Sequence, residues 1–503
     1  MRGGPGSGSP EAPLPQRRFH LGRRLIQHSL FFIFLEGDPL KKVAIVGGGV
    51  SAFACAVSLK EKGIDFTVFD KEARPGGKLM TERFGDFVVE AGPDSFLPEK
   101  YWTLELIDKV GLRPSLLPSN DEFKGTYIYS RRRLHPLPEG VMLMVPTMFT
   151  PLLRSRLISL PGKVRMGLEL FVPPRGDQAD ESLAQFVTRR LGRECLEKIA
   201  EPLVAGIHTS NPDNMSVRAT FPRFIEMERT HGSLILGMMR AMKRANSAPS
   251  SGKKMTYFMS LREGMGELIE AAVRIVGPDA VKTSTPIKRV TKRAHGYSLA
   301  MDHGEASFDE VVLATPSFVS QEIISDLDPA LATMLSSIEW SSTATISLGF
   351  SRSEIGRLPG FGFIVPRVEG RRINATTWSS VKWSCRAPSD TVLVRSFVGG
   401  GHHEELVDLA DDELAHIVCG ELNEIAGISA EPRFRKIYRW KKSMPKYTVG
   451  HLDRLTQIEG QLGRHPGLHL IGCSYRGIGI GDCVKSGFDA AARILPVDSE
   501  GRT

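Results

Sequence analysis

The chain has 503 residues, 41% of them apolar, and a formal net charge of +8. This length and apolar content can fill more than one hydrophobic core, so we expect two or three domains. The six cysteines form no CxxC pair, which argues against a disulfide framework or a metal site and favours a reducing, cytoplasmic location. The positive charge permits attraction to anionic substrates or acidic lipids, but no basic helix or zinc motif indicates nucleic acid.

Residues 1–40 precede the first pattern that is typical of a fold. They contain a Gly/Pro/Ser-rich start, then Arg17, Arg18, Arg23 and Arg24, and an apolar run over residues 25–35. That run is shorter than the roughly 18 residues that a membrane-spanning helix needs, and no small-residue cleavage site follows it. We interpret the segment as a disordered extension or a misassigned upstream start, with an anchor at the membrane interface as the alternative.

The strongest pattern in the chain is a strand–helix–strand unit in residues 42–78. β-branched residues predict a buried strand, apolar residues at helical spacing follow it, and a second strand ends at Asp70. The predicted elements are a strand at 43–46, a helix at 50–62 and a strand at 66–69. The turn between the first strand and the helix consists of Gly47, Gly48 and Gly49. This unit is typical of a dinucleotide-binding fold.

Each position in this turn has a physical role. Gly47 permits the tight turn, and Gly49 lets the backbone approach a pyrophosphate at the helix N-terminus. Ala52 stands at the third glycine position and still permits close helix–strand packing. Asp70, twenty-one residues after Gly49, can accept hydrogen bonds from ribose hydroxyls. The further residues that we place at the cofactor in this unit are Gly48, Val50, Ser51 and Lys71.

The rest of the chain alternates between helix-like and strand-like patterns. Residues 98–245 are predicted to be mostly helical, and residues 141–153 within them are rich in Met and Phe, with basic residues after them. That run is interpreted either as an apolar channel or membrane-contact face with a basic rim, or as a proline-kinked core segment. Residues 246–329 and 441–496 contain strands that we expect to return to the nucleotide domain. Residues 330–440 predict a mostly antiparallel sheet.

Further glycine-rich segments surround the nucleotide pattern and suit a long, extended cofactor. They resemble the GG-doublet flavoproteins, the group that includes monoamine oxidases, in which FAD binds at these motifs. The residues that this resemblance implies for FAD binding are Arg74, Gly77, Lys78, Gly92, Pro93, Asp94, Ser95, Ile287, Trp440, Cys473, Ile478, Gly479 and Ile480. Cys473 and Cys483 have no metal-ligand spacing, and we interpret them as small packing residues.

Several segments narrow the resemblance. They are LHPLP at 134–138, EPLVAGI at 201–207, RATFPRF at 218–224, HGSLILGMMR at 231–240 and SMPKY at 443–447. With the flavin motifs they resemble the oxygen-dependent protoporphyrinogen oxidase family over residues 42–495. The similarity is greatest to the bacterial branch, which includes coproporphyrinogen III oxidases. Thr126 stands where plant and animal members place an arginine, which argues against their mode of propionate binding and favours the bacterial branch.

The resemblance implies an α/β (α+β overall) fold with a discontinuous Rossmann-like FAD-binding domain, an inserted mixed-sheet substrate domain and a helical subdomain. The expected divisions are a disordered extension (1–40), FAD-binding parts at 41–97, 246–329 and 441–496, a helical substrate or membrane-contact subdomain (98–245), a sheet domain (330–440) and a tail (497–503).

The resemblance also implies the chemistry. FAD- and oxygen-dependent six-electron oxidation converts protoporphyrinogen IX to protoporphyrin IX in haem biosynthesis and releases hydrogen peroxide. Coproporphyrinogen III oxidised by the same mechanism is the alternative, and the sequence does not separate the two. Another FAD amine oxidase, a polyene desaturase and a non-catalytic flavin scaffold are less favoured. We name no general base, and we expect no metal.

Family motif positions imply the substrate contacts. Gly206 lies in a turn near the flavin ring, and pocket positions are matched by Ile364, Thr377 and Phe397, although plain sheet core is the alternative for Ile364 and Phe397. For the propionates the candidates are Lys100 and the run Arg131, Arg132 and Arg133, each equally well read as a solvated surface charge. His135 and His208 are expected to make local hydrogen bonds only.

The expected partners are the porphyrinogen, molecular oxygen and ferrochelatase. A peripheral contact with the inner face of the cell membrane is an alternative to a purely cytoplasmic location. The oligomeric state, monomer or homodimer, is left open by the sequence.

Overall fold

The computed structural model describes residues 41–142, 144–177, 179–247 and 255–495. The expectations for residues 1–40 and for the tail at 497–503 lie outside these ranges. The composition of residues 245–254 predicts a surface loop, but its described part continues a helix that ends at Ser247.

The strands are β1 (Lys42–Val46), β2 (Asp65–Phe69), β3 (Thr81–Phe84), β4 (Phe87–Glu90), β5 (Leu116–Pro118), β6 (Thr126–Ser130), β7 (Arg133–Pro136), β8 (Val141–Met142), β9 (Val145–Pro146), β10 (Met259–Leu261), β11 (Val281–Lys282), β12 (Arg289–Lys292), β13 (Tyr297–Met301), β14 (Gly304–Phe308), β15 (Glu310–Leu313), β16 (Trp340–Ser351), β17 (Gly362–Ile364), β18 (Ala375–Trp378), β19 (Thr391–Gly399), β20 (Phe434–Pro445) and β21 (Leu468–Leu470).

The helices are α1 (Val50–Glu61), α2 (Trp102–Lys109), α3 (Phe149–Arg154), α4 (Leu160–Gly167), α5 (Leu183–Arg190), α6 (Arg193–Cys195), α7 (Glu201–His208), α8 (Val217–Thr220), α9 (Pro222–His231), α10 (Leu234–Ser247), α11 (Glu267–Val276), α12 (Ser317–Ile323), α13 (Pro329–Ser336), α14 (Ser379–Lys382), α15 (Asp411–Ala426), α16 (His451–Leu462) and α17 (Ile480–Ile494).

A parallel five-stranded sheet contains the nucleotide pattern. Its strand order is β11-β2-β1-β15-β21, and each neighbouring pair is parallel. Alternate residues of β1 belong to two different cores: Val43 and Ile45 pack with α1 and α17, while Ala44 and Val46 pack on the opposite face. Burial on both faces explains why β1 is an unbroken apolar run in the sequence.

A second sheet has seven strands in the order β20-β16-β19-β18-β17-β6-β7. Its pairs are antiparallel except for β17 with β6, which is parallel. The expectation that residues 98–245 are mostly helical is therefore wrong for residues 126–136. The sequence TYIYS of β6 has strand character, but its partner β17 lies far along the chain, so local pattern did not reveal the pairing.

Two further sequence expectations need correction. The strand patterns at residues 281–290 and 298–301 predict strands of the nucleotide sheet. Only the two-residue β11 joins that sheet, whereas β12, β13 and β14 form a separate antiparallel sheet. The spacing of apolar residues over 181–196 predicts one amphipathic helix, but the structure divides it, because Gly192 has φ +93° between α5 and α6. A π-helical turn, Leu196–Ala200, then leads into α7.

A fully buried ion pair joins the helices of residues 160–240. The side chains of Arg190 and Glu169 are both 0% exposed. Glu169 also accepts hydrogen bonds from the Ser233 hydroxyl and from the backbone N–H of Leu234 at 2.8 Å. Arg190 Nη1 donates to the carbonyl of Val172 at 2.8 Å. Removing one partner of such a pair leaves a buried charge without compensation.

We therefore expect Arg190→Met to lower the free energy of unfolding by about 3–5 kcal/mol. Urea unfolding followed by far-ultraviolet circular dichroism measures this. The control is Arg193→Ala, three residues away, because the Arg193 side chain is 82% exposed in its pair with Glu197. Similar unfolding midpoints for the two variants would contradict a structural role for the buried pair.

Candidate functional site

The turn after β1 requires glycine at two positions for different reasons. Gly47 has φ +101°, and its backbone N–H donates to the carbonyl of Phe69 at 2.7 Å. A Cβ on Gly48 would lie 2.2 Å from Asp70 Oδ2. At Gly49, by contrast, a Cβ would meet no atom of the described residues within 4 Å. The space in front of Gly49 is therefore open to a ligand.

The N-terminus of α1 faces this open space. Gly49 is its N-cap, and no hydrogen bond from a side chain of the described residues caps it. Backbone N–H groups and the helix dipole at such an end favour an anion, and Val50 and Ser51 provide the first amides. Ala52 is fully buried. A Cβ on Gly487 of α17 would lie 2.2 Å from the Ser51 carbonyl, so the two helices are in close contact.

Asp70 ends β2 beside the glycine turn and is 6% exposed. Its Oδ1 accepts a hydrogen bond from the backbone N–H of Glu72 at 3.0 Å. Burial raises the pKa of Asp70, while hydrogen bonds from the Glu72 and Gly48 amides oppose that rise. A carboxylate at this place suits ribose hydroxyls. Lys71 differs, since its side chain is 65% exposed and lies 3.6 Å from Glu72.

The loop at residues 74–78 contacts the first turn. The backbone N–H of Gly76 donates to the Gly48 carbonyl at 2.6 Å, and a Cβ on Gly77 would lie 3.6 Å from Gly49 Cα. The Arg74 guanidinium donates to the Pro75 and Gly77 carbonyls at 2.8 and 3.0 Å. Arg74 thus shapes its own loop, and the two glycine turns lie together.

The loop at residues 91–95 connects the nucleotide region to the seven-stranded sheet. A Cβ on Gly92 would lie 1.9 Å from the Lys78 carbonyl, so only glycine fits there. The carbonyl of Ala91 accepts three side-chain hydrogen bonds from sheet strands. Their donors are Trp440 Nε1 at 2.8 Å, Thr345 Oγ1 at 3.1 Å and Arg395 Nη2 at 3.3 Å. Pro93 and Ser95 belong to the same loop.

Asp94 extends this attachment through charge. Its carboxylate accepts hydrogen bonds from Lys382 Nζ at 3.3 Å, Trp383 Nε1 at 3.1 Å and Ser95 Oγ at 2.7 Å. Although burial opposes it, the charges of Lys382 and Arg395 hold the pKa of Asp94 well below its usual range. The sequence interpretation missed these partners. The signal in the sequence was a charged residue, Arg395, in a strand whose other residues are uncharged.

The C-terminal segment brings a second helix N-terminus to the same region. Gly472 has φ +103°, and a Cβ there would lie 3.7 Å from Ser51 Oγ. Gly479 is the N-cap of α17, and its backbone N–H donates to Asp482 at 3.3 Å. Ile480 is buried and Ile478 is partly exposed. Asp482 also pairs with Lys100, so the ammonium of Lys100 has a carboxylate partner beside α17.

Cys473 lies in a polar group of side chains at this end of the site. Lys78 Nζ is 3.9 Å from Cys473 Sγ and 5.3 Å from the ring centre of Trp340, and it donates to the Ser443 carbonyl. A hydrogen bond from Cys483 and the charge of Lys78 lower the pKa of Cys473 to about 6, against the opposing effect of burial. The sequence interpretation of Cys473 and Cys483 as packing residues did not include this effect on the pKa of Cys473.

The three expected pocket residues of the sheet lie on one face of it. Ile364 pairs with Ala375, which pairs with Phe397, so the three form a row across β17, β18 and β19. Thr377 is two residues from Ala375 and faces the same way. All three expected pocket residues are partly exposed, whereas neighbours on the opposite face, such as Trp378, are buried.

This face of the sheet contacts the loop at residues 91–95. Thr345 pairs with Phe397 and donates to the Ala91 carbonyl. The Arg395 guanidinium lies 4.8 Å from the Phe397 ring and donates to the carbonyls of Ala91 and Gly92. The structure thus brings Ile364, Thr377 and Phe397 to the side of the sheet where the loop is attached.

Other expected residues lie elsewhere or are described only in part. Gly206 and His208 belong to α7, so the expected turn at Gly206 is part of a helix. Arg131 and Arg132 form an exposed hairpin turn with φ of 52° and 61°. His135 Nε2 lies 3.1 Å from the Ser130 carbonyl, a local contact as expected. Ile287 is buried and packs with the cluster that contains Val46 and Phe69.

Together these features fit FAD. The N-terminus of α1 and the glycine turns at Gly48 and Gly77 border the open space at Gly49, and the buried carboxylate of Asp70 lies beside Gly48. Amides at helix ends bind a pyrophosphate, and the carboxylate binds a ribose. The residue-level cofactor assignments stay predictions.

Comparison with known proteins assigns the family. Residues 53–495 match the family described as flavin containing amine oxidoreductase. The chain is 33% identical over 467 residues to the coproporphyrinogen III oxidase of Bacillus subtilis (strain 168), covering 91% of this chain and 98% of that protein. It is 26% identical over 491 residues to protoporphyrinogen oxidase 2, chloroplastic/mitochondrial, of Arabidopsis thaliana, covering 92% and 95%.

A solved structure gives the same result. A crystal structure from Exiguobacterium sp. 255-15, named provisionally as a protoporphyrinogen oxidase, has a TM-score of 0.79 at 32% identity, covering 91% of this chain and 99% of that one. The fold and site therefore define an FAD-dependent oxidoreductase. The chain belongs to the flavin containing amine oxidoreductase family. The expected α/β fold and the FAD cofactor are confirmed.

The open space at Gly49 gives a direct test of the cofactor site. We expect Gly49→Val to fold, because its side chain meets open space in the protein, but to lose at least about tenfold in FAD affinity by blocking the pyrophosphate. Flavin absorbance and titration of the apoprotein with FAD measure this.

The matched control is Gly420→Val in α15, where a Cβ also meets no described atom within 4 Å. The control is expected to retain its flavin. Unchanged FAD affinity in Gly49→Val would place the cofactor elsewhere.

Proposed function

We propose that this chain is a porphyrinogen oxidase, which removes six electrons from a porphyrinogen to form the porphyrin, with molecular oxygen as acceptor and hydrogen peroxide as product. The supporting observation is the sheet face with Ile364, Thr377 and Phe397 beside the loop at residues 91–95. A partly apolar face with an aromatic ring suits the pyrrole rings of such a macrocycle. The names of the relatives at 26–33% identity support the same substrate class.

The residues of the chain supply position and electrostatics. FAD, when bound, would supply hydride acceptance and electron transfer to oxygen, and this chemistry requires no nucleophilic side chain. Phe397 offers a ring for stacking against a pyrrole, and Thr377 offers a hydroxyl on the same face. Arg395 and Thr345 hold the Ala91 carbonyl, which fixes the loop between cofactor and substrate face. We assign no general base.

The choice between the two porphyrinogens rests on similarity. The three relatives named coproporphyrinogen III oxidase are 30–33% identical to this chain, whereas those named protoporphyrinogen oxidase are 26–29% identical. Coproporphyrinogen III is therefore the better supported substrate, and protoporphyrinogen IX, which the sequence resemblance put first, is the second candidate. The four propionates of coproporphyrinogen III need more cationic contacts than the two of protoporphyrinogen IX.

Substrate preference is measured directly with each porphyrinogen prepared anaerobically and mixed with the flavin-loaded protein in air. Porphyrin fluorescence follows the reaction. We expect a kcat/KM at least about tenfold higher for coproporphyrinogen III, equivalent to about 1.4 kcal/mol of transition-state discrimination. A preference for protoporphyrinogen IX would reverse the substrate assignment, and no porphyrin from either would reject the proposed function.

A surface on the helical part supports peripheral membrane contact as a finer proposal. Five apolar side chains in and after α3 and α4 are exposed by about half or more: Leu153 60%, Leu160 69%, Val164 57%, Leu168 49% and Phe171 80%. Arg154 and Arg156 are exposed between them. Apolar side chains with a basic rim suit the acidic inner face of the cell membrane. Within the described residues, no helix has the length and apolar character to cross a bilayer.

Vesicle sedimentation tests this surface. The double variant Leu160→Ser/Phe171→Ser is expected to bind vesicles that contain acidic lipid at least about fivefold more weakly, because two insertable side chains are lost. Val368→Ser is the control, since Val368 is 54% exposed on the sheet domain. Equal binding by both variants would exclude this surface.

Transfer of the porphyrin to ferrochelatase stays a prediction, as does an oligomeric state of monomer or homodimer.

A further inference from the structure

Two cysteine side chains lie together beside the glycine turn. Cys473 follows β21, Cys483 is the fourth residue of α17, and the Cys483 thiol donates a hydrogen bond to Cys473. Cys473 is partly exposed, whereas Cys483 is 8% exposed. Within the described ranges, no group of three or more His, Cys, Asp or Glu side chains could hold a metal ion. The two sulfur atoms are therefore placed to react with each other rather than to hold a metal.

The surroundings of the two thiols make one acidic and keep the other protonated. Lys78 Nζ lies 3.9 Å from Cys473 Sγ. The hydrogen bond from Cys483 and this positive charge lower the pKa of Cys473 to about 6, although burial opposes them. The hydrogen bond that Cys483 donates, together with burial, raises the pKa of Cys483 well above its usual value. Because a thiolate is the reactive form, Cys473 is the nucleophile at neutral pH and Cys483 is a neutral thiol beside it.

Other buried cysteines of the chain show what burial alone does. Burial raises the pKa of Cys55 and of Cys195 to about 12, so both stay protonated and unreactive. Burial also raises the pKa of Cys419. Cys473 differs from these three because a thiol donor and a cation lie beside its sulfur.

We propose that Cys473 and Cys483 form a peroxide-reactive site, at which hydrogen peroxide converts the two thiols into a disulfide. The Cys473 thiolate attacks one peroxide oxygen and the O–O bond breaks, which leaves a sulfenic acid on Cys473 and a hydroxide that takes up a proton to become water. The Cys483 sulfur then attacks the Cys473 sulfur, the S–O bond breaks, and the hydroxide leaves with the Cys483 proton as a second water. Two thiols are oxidised and one peroxide is reduced to two waters.

The source of the oxidant rests on the proposed function, because oxygen-dependent porphyrinogen oxidation releases hydrogen peroxide. In a reducing compartment such a disulfide is transient and responds to the oxidant, unlike a structural disulfide. Ser51, in the first turn of α1, donates a hydrogen bond to Cys483. The disulfide would remove this bond and thereby change the contact between α1 and residues 472–483, which both contain predicted FAD-binding residues.

Mass spectrometry of a tryptic digest identifies the disulfide directly. Trypsin separates the two cysteines, because Arg476 lies between them and Lys485 follows Cys483. The flavin-loaded protein is treated with hydrogen peroxide, its remaining thiols are alkylated, and it is digested. We expect peptides 465–476 and 477–485 as one linked species that a reductant separates. From about pH 8 to about pH 6 the rate of its formation should fall only about twofold, whereas an ordinary thiol of pKa about 8.5 would slow by on the order of a hundredfold.

Two variants separate the steps. In Cys483→Ser we expect Cys473 to stop at the sulfenic acid, which dimedone traps, with no linked peptides, because the second thiol is absent. Cys419→Ser is the matched control, since Cys419 is a partly exposed cysteine on α15. The control should form the linked peptides as the unchanged protein does.

The proposal is overturned if the unchanged protein gives no linked peptides, or if Cys473 is linked only to a cysteine other than Cys483. A hundredfold loss of rate between the two pH values would also overturn it, because Cys473 would then not be the acidic thiol. Since the peroxide is added from outside, the result does not depend on porphyrinogen turnover. Failure of the thiol pair and failure of the proposed function are therefore distinguishable.

Discussion

The backbone carbonyl of Ala91 connects the two halves of the site. It accepts hydrogen bonds from Thr345, Arg395 and Trp440, which come from β16, β19 and β20. The next residue, Gly92, lies so close to Lys78 that any side chain would collide. The glycine-rich loops and the sheet face with Ile364, Thr377 and Phe397 are therefore fixed relative to one another through this part of the backbone.

Ion pairs and hydrogen bonds stabilise this buried connection. Asp94 receives hydrogen bonds from Lys382 and Trp383, and Arg386 lies 3.7 Å from Glu90. These charged side chains lose their hydration on burial, and contacts with one another and with the backbone replace it. The arrangement fixes direction as well as position, because each hydrogen bond orients a side chain toward the loop.

The sequence predicted the local parts of this arrangement well. The glycine turn, α1, β2 and Asp70 are contiguous, so spacing alone predicts their arrangement, and the structure places them as one unit. Pairing between distant segments was not predictable in this way. β6 looked isolated because β17 follows it only after the whole helical region, and Arg395 looked like an ordinary strand residue because its partners lie on another loop. Long-range contacts and buried charges have no short-range signature in the sequence.

The central claim is that the porphyrinogen macrocycle is oxidised between the flavin and the face formed by Ile364, Thr377 and Phe397. A crystal structure of the flavin-loaded protein with bound coproporphyrin III tests it most directly. The account predicts the pyrophosphate at the α1 N-terminus beside Gly49 and the porphyrin plane against the Phe397 ring, next to the loop that contains Ala91. A porphyrin bound on another surface, with this face in contact only with solvent, would contradict the account.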